Sequence, residues 1–350
     1  MSHPPATGGR AAPRSPRPPG PVLVTGAGGF IGRALLARLT QLGVAARGVD
    51  VVADPAAGIV AGDVTDPRSW RSHLDGVDTV VHTAAIVSNV VPMARMHAVN
   101  VAGTAAVVTA ARTAGARRVV HLSSVVVHGY DLPRWVDEDH PVRITGDAYV
   151  DTKIAGEQVA LAAHARGGIE VVVVRPGDVY GPGSRPWVVL PLTYLQAGQA
   201  VLPAHGRGLC SHVHVDNLVD GLVRAIAVPD AAGHVLHVTD GAATTWSDYL
   251  GVLGALVGRQ PRRLPTPVAI ALASAVGRAE RARGRDSELC AASMRLLART
   301  GSYRIDRARE VLGYEPMVDL TEGMAGVASW AAEVGLLDGP ARPDGRWRGR

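Results

Sequence analysis

The chain has 350 residues, enough for one large α/β domain or a domain with a lobe, and only two cysteines, Cys210 and Cys290. Two cysteines exclude a disulfide framework and suit a reducing cytoplasm. The net charge of +5 suggests nucleic acid, but residues 1–20 and 339–350 carry +3 each, leaving the body at −1. A nucleic-acid protein needs its basic face on the folded part, so that class is set aside.

Residues 1–20, rich in Pro, Gly and Arg, have no apolar stretch, which predicts a disordered tail and not a signal peptide. Residues 339–350 read as a second, basic tail. No apolar run reaches the ~18 residues of a membrane span. From Val22 onward, short Val-rich runs alternate with Ala- and Leu-rich stretches, the pattern of βαβ units around a parallel sheet. Val22–Thr25 predicts a buried strand, followed by a Gly-rich loop and a helix over 33–42. A strand over 45–49 ends at Asp50, and further strands are predicted over 78–82, 118–123, 170–175 and 234–238. Helices are predicted over 99–114 and 149–165.

The loop reads Thr25-Gly26-Ala27-Gly28-Gly29-Phe30-Ile31-Gly32. Its glycines at 26, 29 and 32 permit a tight turn, close approach of backbone to a pyrophosphate, and close packing of helix on strand. The anion then meets the helix N-terminus, where unpaired N–H groups and the macrodipole favour it. Asp50 lies 18 residues after Gly32, about where a carboxylate takes adenosine ribose hydroxyls. A carboxylate there repels a 2′-phosphate, which favours NAD over NADP, although Arg47 is close in sequence.

Of the 36 Lys and Arg residues only one is lysine, Lys153, four residues after Tyr149. A lone lysine in an arginine-rich chain marks a place where a broad, planar guanidinium would fail. Positions i and i+4 share a helix face, so the ammonium can lie near the phenol and is expected to lower its pKa.

With these motifs in place, residues 21–335 resemble an extended short-chain dehydrogenase/reductase of the NAD-dependent epimerase/dehydratase group. Asp63-Val64, His82-Thr83-Ala84-Ala85 and Val99-Asn100-Val101-Ala102-Gly103-Thr104 carry the resemblance, with Leu122-Ser123-Ser124 and the Tyr149/Lys153 pair. Arg175-Pro176-Gly177, Tyr180-Gly181-Pro182-Gly183, Val213-His214-Val215-Asp216-Asn217 and Leu312-Gly313-Tyr314-Glu315-Pro316 complete it. The resemblance implies a Rossmann-type, doubly wound parallel sheet with a smaller C-terminal substrate lobe. Residues 21–176, with 209–240 rejoining them, would bind NAD, and residues 177–208 and 241–338 would form the lobe.

The resemblance also implies roles. Ser124, Tyr149 and Lys153 would be catalytic, with Tyr149 exchanging the hydroxyl proton and Ser124 holding the substrate oxygen. Strand alternation should turn Ser123 away. Gly26, Gly29, Phe30, Ile31, Gly32, Asp50, Asp63, Val64, Ala84, Ala85, Asn100, Pro176 and Gly177 would line the cofactor, together with Tyr149 and Lys153. Asp63 and Val64 would meet the adenine, and Asn100 would support the site through its helix backbone. Related proteins commonly dimerise through helices equivalent to 99–114 and 149–165, so a homodimer is expected.

Two departures narrow the substrate. Many sugar-nucleotide members hold a diphosphate with an Arg four residues before the position of His214; here that residue is Cys210, which cannot clamp an anion. The 4,6-dehydratases place Asp-Glu where this chain has Val125-Val126, which removes the acid for eliminating water. The remaining similarity is to the 3β-hydroxysteroid dehydrogenase branch, implying oxidation of a secondary alcohol or its reverse, with an apolar substrate. An epimerase is the enzymatic alternative, and a non-catalytic NAD-sensing protein the alternative of another class. The stretch 264–277 is apolar, too short to span a bilayer, and flanked by seven Arg. It suits a core helix with solvated ends, or a lid that meets a greasy substrate or a membrane surface. His212 and His214 alternate on a predicted strand, but two ligands fall short of a metal site. Asp216-Asn217 reads as a helix cap.

Overall fold

The computed structural model describes residues 16–285 and 287–337. The tail expected over 1–20 lies outside these residues except for 16–20, and the basic tail over 339–350 lies wholly outside. Seven strands, β1 (Val22–Thr25), β2 (Ala46–Asp50), β3 (Ile59–Ala61), β4 (Thr79–His82), β5 (Arg118–Leu122), β6 (Glu170–Pro176) and β7 (Val235–Val238), form one sheet. It is parallel throughout, in the order β7-β6-β5-β4-β1-β2-β3. The chain runs outward from β1 to β3 and then returns to β4, so the order reverses between β1 and β4. Ligands of open α/β sheets bind in the crevice at that reversal, beyond the carboxyl ends of the strands.

The helices are α1 (Phe30–Gln41), α2 (Met93–His97), α3 (Thr104–Thr113) and α4 (Ala148–Ala165) in the first part of the chain. After β6 follow α5 (Leu190–Gln196), α6 (Val215–Ala227), α7 (Trp246–Leu256), α8 (Thr266–Ala282), α9 (Ala291–Leu297), α10 (Asp306–Leu312) and α11 (Leu320–Glu333). Alternate strand residues build the two faces of the sheet. Val24, Val81, Val120 and Val172 pack with Leu35, Leu39, Leu218 and Leu222 of α1 and α6. Leu23, Val80, Val119 and Val171 pack with Val107, Ala111 and Ala160 of α3 and α4. With both faces covered the strands need Val at nearly every position, and each fully buried Val or Leu contributes about 1.5–3 kcal/mol. Arg118 is fully buried where α6 ends, its guanidinium donating to the carbonyls of Ala225, Val228 and Pro229. The Ala225 carbonyl is one that the helix terminus leaves without an intrahelical partner, and the other two lie in the turn that follows.

Several boundaries differ from the sequence reading. α1 starts at Phe30, not residue 33, because Gly29 adopts an extended conformation (φ −74°, ψ 171°) and serves as N-cap. β3 was not foreseen: three residues after the turn at Pro55–Ala57 are too few to show alternation. The helix expected over 99–114 is preceded by α2 and carries π-helical turns over Ala98–Gly103, an irregularity common at functional sites. The pair His212–His214 does not join the main sheet but pairs with Asp178–Tyr180. The cap of α6 is His214, whose Nδ1 accepts from the Asp216 N–H, and not Asp216-Asn217. Asn217 instead points inward, donating to Asp240 and accepting from the Met317 and Val318 N–H groups.

The C-terminal region has apolar clusters of its own. Leu192 and Leu195 of α5, Trp246, Tyr249 and Leu253 of α7, and Met324 and Val327 of α11 form one. Ala269 and Ala273 of α8 with Met294 of α9 form another. Among the described residues no helix is long and apolar enough to cross a membrane.

Candidate active site

The Gly-rich loop turns at the carboxyl end of β1. Gly26 has φ 69°, and a Cβ there would stand 2.5 Å from the Ala84 nitrogen. At Gly32 a Cβ would overlap the Gly26 carbonyl. A side chain at Gly26 would push the loop off the segment after β4, and one at Gly32 would push the first turn of α1 off the loop. The groove they leave is shaped for a phosphate-bearing group over the first turn of α1. Asp50 ends β2 beside this loop, with one carboxylate oxygen accepting from the Gly28 N–H (2.9 Å) and the other from the Val51 N–H (2.7 Å). Arg47 faces elsewhere, its guanidinium 3.4 Å from the His73 carbonyl.

Asp63 is exposed and closes a local turn, its carboxylate accepting from the N–H and hydroxyl of Thr65. Val64 is buried beside Gly103. Ala84 packs on the core beneath the crevice, and Ala85 faces the cavity described below. Asn100 departs from expectation. Its side chain supports the site directly: Oδ1 accepts from the Ile86 N–H (2.8 Å), and Nδ2 donates to the Ile86 carbonyl and the Thr152 hydroxyl (3.1 Å each). One amide therefore ties the loop after β4 to the helix bearing Tyr149 and Lys153. The Asn100 carbonyl accepts from the Thr104 hydroxyl (2.7 Å), which leaves that oxygen to accept from His82 Nε2 (3.0 Å). His82 Nδ1 then accepts from Thr25 (2.7 Å). Burial holds the His82 pKa down to about 3, so this relay of fixed tautomer stays neutral.

Ser124, Tyr149 and Lys153 come together at the carboxyl end of β5. Ser124 caps a short 3₁₀ turn over Val125–His128 and lies within hydrogen-bonding reach of the Tyr149 phenol. Ser123 turns the opposite way, donating to Glu157 (2.7 Å). The expected lowering of the phenol by Lys153 is not found. Burial pushes Tyr149 up to about 12, the Ser124 hydrogen bond pulls against this, and the Asp178 carboxylate adds to the rise. Helical spacing gave the shared face, but the ammonium is turned toward the sheet, donating to the Leu122 carbonyl at 2.5 Å. Burial also lowers Lys153 to about 8, while Glu157 one turn further along α4 favours its charged form.

Beneath this trio lies a buried network in which Glu157, His128 and His237 were not singled out from the sequence. Glu157 is fully buried and accepts from Arg175 Nη2 (2.5 Å) and Nε (2.9 Å) as well as from Ser123. Arg175 also reaches His128, which meets His237 across 2.9 Å. The i+4 spacing from Lys153 to Glu157 was the available signal for this network; nothing local marked His128 or His237.

A cavity of about 600 Å³ runs from Gly26, Gly29, Phe30, Ile31 and Gly32 past Ser124, Tyr149 and Lys153. Pro176 and Gly177 line it too, and a Cβ on Gly177 would overlap the Ser211 carbonyl. Its far wall is apolar: Leu272, Ala273 and Val276 of α8 with Met294, Leu296 and Leu297 of α9. Glu288, between those helices, accepts from the Ser88 hydroxyl (2.8 Å) and the Asn89 N–H (2.6 Å), fastening this wall to the loop after β4. Asp178 also lines the cavity, but its carboxylate is engaged by the buried Arg299 (2.5 Å) and the Ser211 N–H (3.0 Å). Cys210 is fully buried beside that pair, and burial raises its thiol pKa well above the ordinary range. His212 bonds Asp240 and Thr244 (2.9 Å each).

Comparison with known proteins agrees with this geometry. Residues 22–239 match the NAD dependent epimerase/dehydratase family. A 4-hydroxy-2-methyl-3-oxo-4-farnesyl-3,4-dihydroquinoline-1-oxide ketoreductase from Stigmatella aurantiaca is 31% identical over 318 residues, covering 86% of this chain and 94% of the relative. A 3 beta-hydroxysteroid dehydrogenase/Delta 5-->4-isomerase from Mycobacterium tuberculosis is 30% identical over 321 residues, covering 85% and 86%. Among solved structures, MoeE5 in complex with UDP-glucuronic acid and NAD matches with a TM-score of 0.73 at 27% identity, covering 90% of this chain and 99% of that chain. The chain belongs to the NAD dependent epimerase/dehydratase family of extended short-chain dehydrogenases/reductases, and is an enzyme of that family, a dehydrogenase/reductase or an epimerase.

Proposed function

We propose that the protein is an NAD-dependent oxidoreductase interconverting a secondary alcohol and a ketone on an apolar, steroid-like substrate. The observation that carries this reading is the single cavity joining Ser124, Tyr149 and Lys153 to the aliphatic wall of α8 and α9. Two relatives at about 30% identity are named for a farnesylated ketone and a 3β-hydroxysteroid, both largely apolar. Cys210 is buried, and the neighbouring Arg299 is buried outside the cavity lining and paired with Asp178, so neither side chain offers an anion clamp. That counts against a nucleotide-sugar epimerase.

The Gly26–Gly32 groove fits a pyrophosphate, and Asp50 would take the adenosine ribose, while Lys153 would hold the nicotinamide ribose. NAD, when bound, accepts hydride from the carbinol carbon or returns it to the ketone. Ser124 orients the substrate oxygen. Tyr149 takes the hydroxyl proton in oxidation and donates it in reduction. Asp63, Val64 and Ala84 would flank the adenine side, and Ala85, Pro176 and Gly177 the nicotinamide side, with Asn100 fixing the loop between them. We assign cofactor binding to residues 21–176 with 209–240 and substrate binding to 177–208 and 241–338, and expect a homodimer through the helices spanning 99–114 and 149–165.

The test is NADH formation from NAD with purified protein, 3β-hydroxysteroids, prenylated ketones run in reverse, and UDP- and dTDP-sugars alongside. Turnover of the apolar panel supports the assignment; an altered sugar with the apolar panel silent replaces it by the epimerase. Asp50→Ala should raise the KM for NAD about 10- to 100-fold, the worth of a charge-assisted hydrogen bond or two. It should also narrow the gap to NADP by removing the repulsion of a 2′-phosphate. Initial rates with both cofactors measure it.

A further inference from the structure

α8 is apolar on two faces, and only one of them is covered. Ala269 and Ala273 pack on Met294, and Ala273 and Val276 face the cavity. The adjacent face, which shares Leu272 with the cavity wall, carries Val268, Ala271, Leu272 and Ala275 at helical spacing, all exposed, with Val268 at 50% and Leu272 at 40%. A helix that is apolar all round is ordinarily buried.

The border of this face is cationic. Arg262 and Arg263 are exposed just before the helix, Arg259 precedes them, and Arg278 follows Ala275 on the same stripe. Among the described residues no salt bridge engages these four, whereas Arg283 and Arg285 pair with Glu280. Leu272 and Arg262 also line the cavity, as does Val87, itself 62% exposed. The bare face is therefore continuous with one opening of the proposed substrate site.

We propose that this face of α8 docks on an anionic lipid surface, with the helix lying in the interface and the cavity opening toward the bilayer. An apolar stripe with an arginine border is the pattern of interfacial helices, and each arginine near an anionic surface adds to binding. A second copy of the chain fits less well. A two-fold contact would set the same patch against itself, and with it arginines against arginines. The proposal rests on the apolar-substrate reading in one respect: such a substrate would be drawn from the lipid.

The experiment is flotation of the full chain with phosphatidylglycerol/phosphatidylcholine vesicles and with phosphatidylcholine alone. The terminal segments carry +3 each and could bind anionic vesicles unaided, so the variants leave them intact. Val268→Glu/Ala271→Glu changes only exposed positions outside the cavity wall, and Arg263→Glu/Arg278→Glu reverses the border. Flotation on anionic vesicles that is lost in the first pair, and weakened about five-fold or more per arginine in the second, supports docking. Equal flotation of wild type and both pairs would overturn it in favour of the tails. No flotation, with a dimer that Val268→Glu/Ala271→Glu dissociates on size exclusion, would overturn it in favour of a second copy. Turnover of a detergent-dispersed ketone, measured without vesicles, reports on catalysis separately. Flotation that follows the variants while no ketone turns over supports docking and removes the oxidoreductase reading.

Discussion

Tyr149→Phe should lower kcat by about 10²–10⁴-fold, the usual worth of a positioned proton donor or acceptor, while NADH affinity by fluorescence titration stays essentially unchanged. The phenol oxygen is the one atom removed, and the ring keeps its packing against Val126, Val127 and Ile154. The pH dependence has a definite sign. Burial holds the phenol near about 12 in the cofactor-free protein, so it is protonated at neutral pH. Ketone reduction needs that protonated form and should run flat through neutrality. Alcohol oxidation needs the phenolate and should rise with pH until the apparent pKa in the enzyme–NAD complex is reached. The positive charge of the bound oxidised cofactor should place that pKa below the free-protein value. An oxidation rate indifferent to pH around neutrality would mean that another group takes the proton. Lys153→Arg should fail as well, because a planar guanidinium cannot occupy the buried point where the ammonium meets the Leu122 carbonyl.

The largest loss of stability should follow Glu157→Ala. Glu157 and Arg175 are both buried, and the carboxylate accepts two bonds from the guanidinium and one from Ser123. Removing one partner leaves an uncompensated buried charge, at about 3–5 kcal/mol. Chemical denaturation should read this as a lower midpoint with little change in slope. Glu157→Leu combined with Arg175→Met should recover much of it, since apolar replacement of a buried pair is often close to neutral. A double variant as unstable as the single one would show that the loss came from packing. In catalysis Glu157→Gln should act through Lys153, whose charged form the carboxylate favours. Without that support Lys153 loses its proton at lower pH, so activity should fall earlier as pH rises.

Much of the site could be read along the chain because its parts are local. The glycine spacing, the acid at the end of β2 and the Tyr149/Lys153 pair each depend on one turn, one strand end or one helix face. The same holds for Ser123 and Ser124, whose opposite directions follow from strand alternation. What could not be read was where each group points once its element is packed. Spacing placed Lys153 on the face of Tyr149, yet the carbonyl that receives its ammonium belongs to β5, 31 residues away.

The clasp of Glu288 on Ser88 and Asn89, about 200 residues apart, and the Asp178–Arg299 pair at 121 have no local signature. Phenol acidity lies in the same category: local charge argued for a lowered pKa, and the burial supplied by distant segments raised it. By itself the sequence determined the βαβ rhythm, the glycine-rich loop and the shared helix face of Tyr149 and Lys153, because these rest on periodicities of two and of 3.6 and on the backbone freedom of glycine. Only the tertiary structure decided the solvation of those residues, the buried ion pairs beneath them and the apolar wall facing them. Dielectric environment and cavity shape are set by side chains far apart in sequence that fold into one volume.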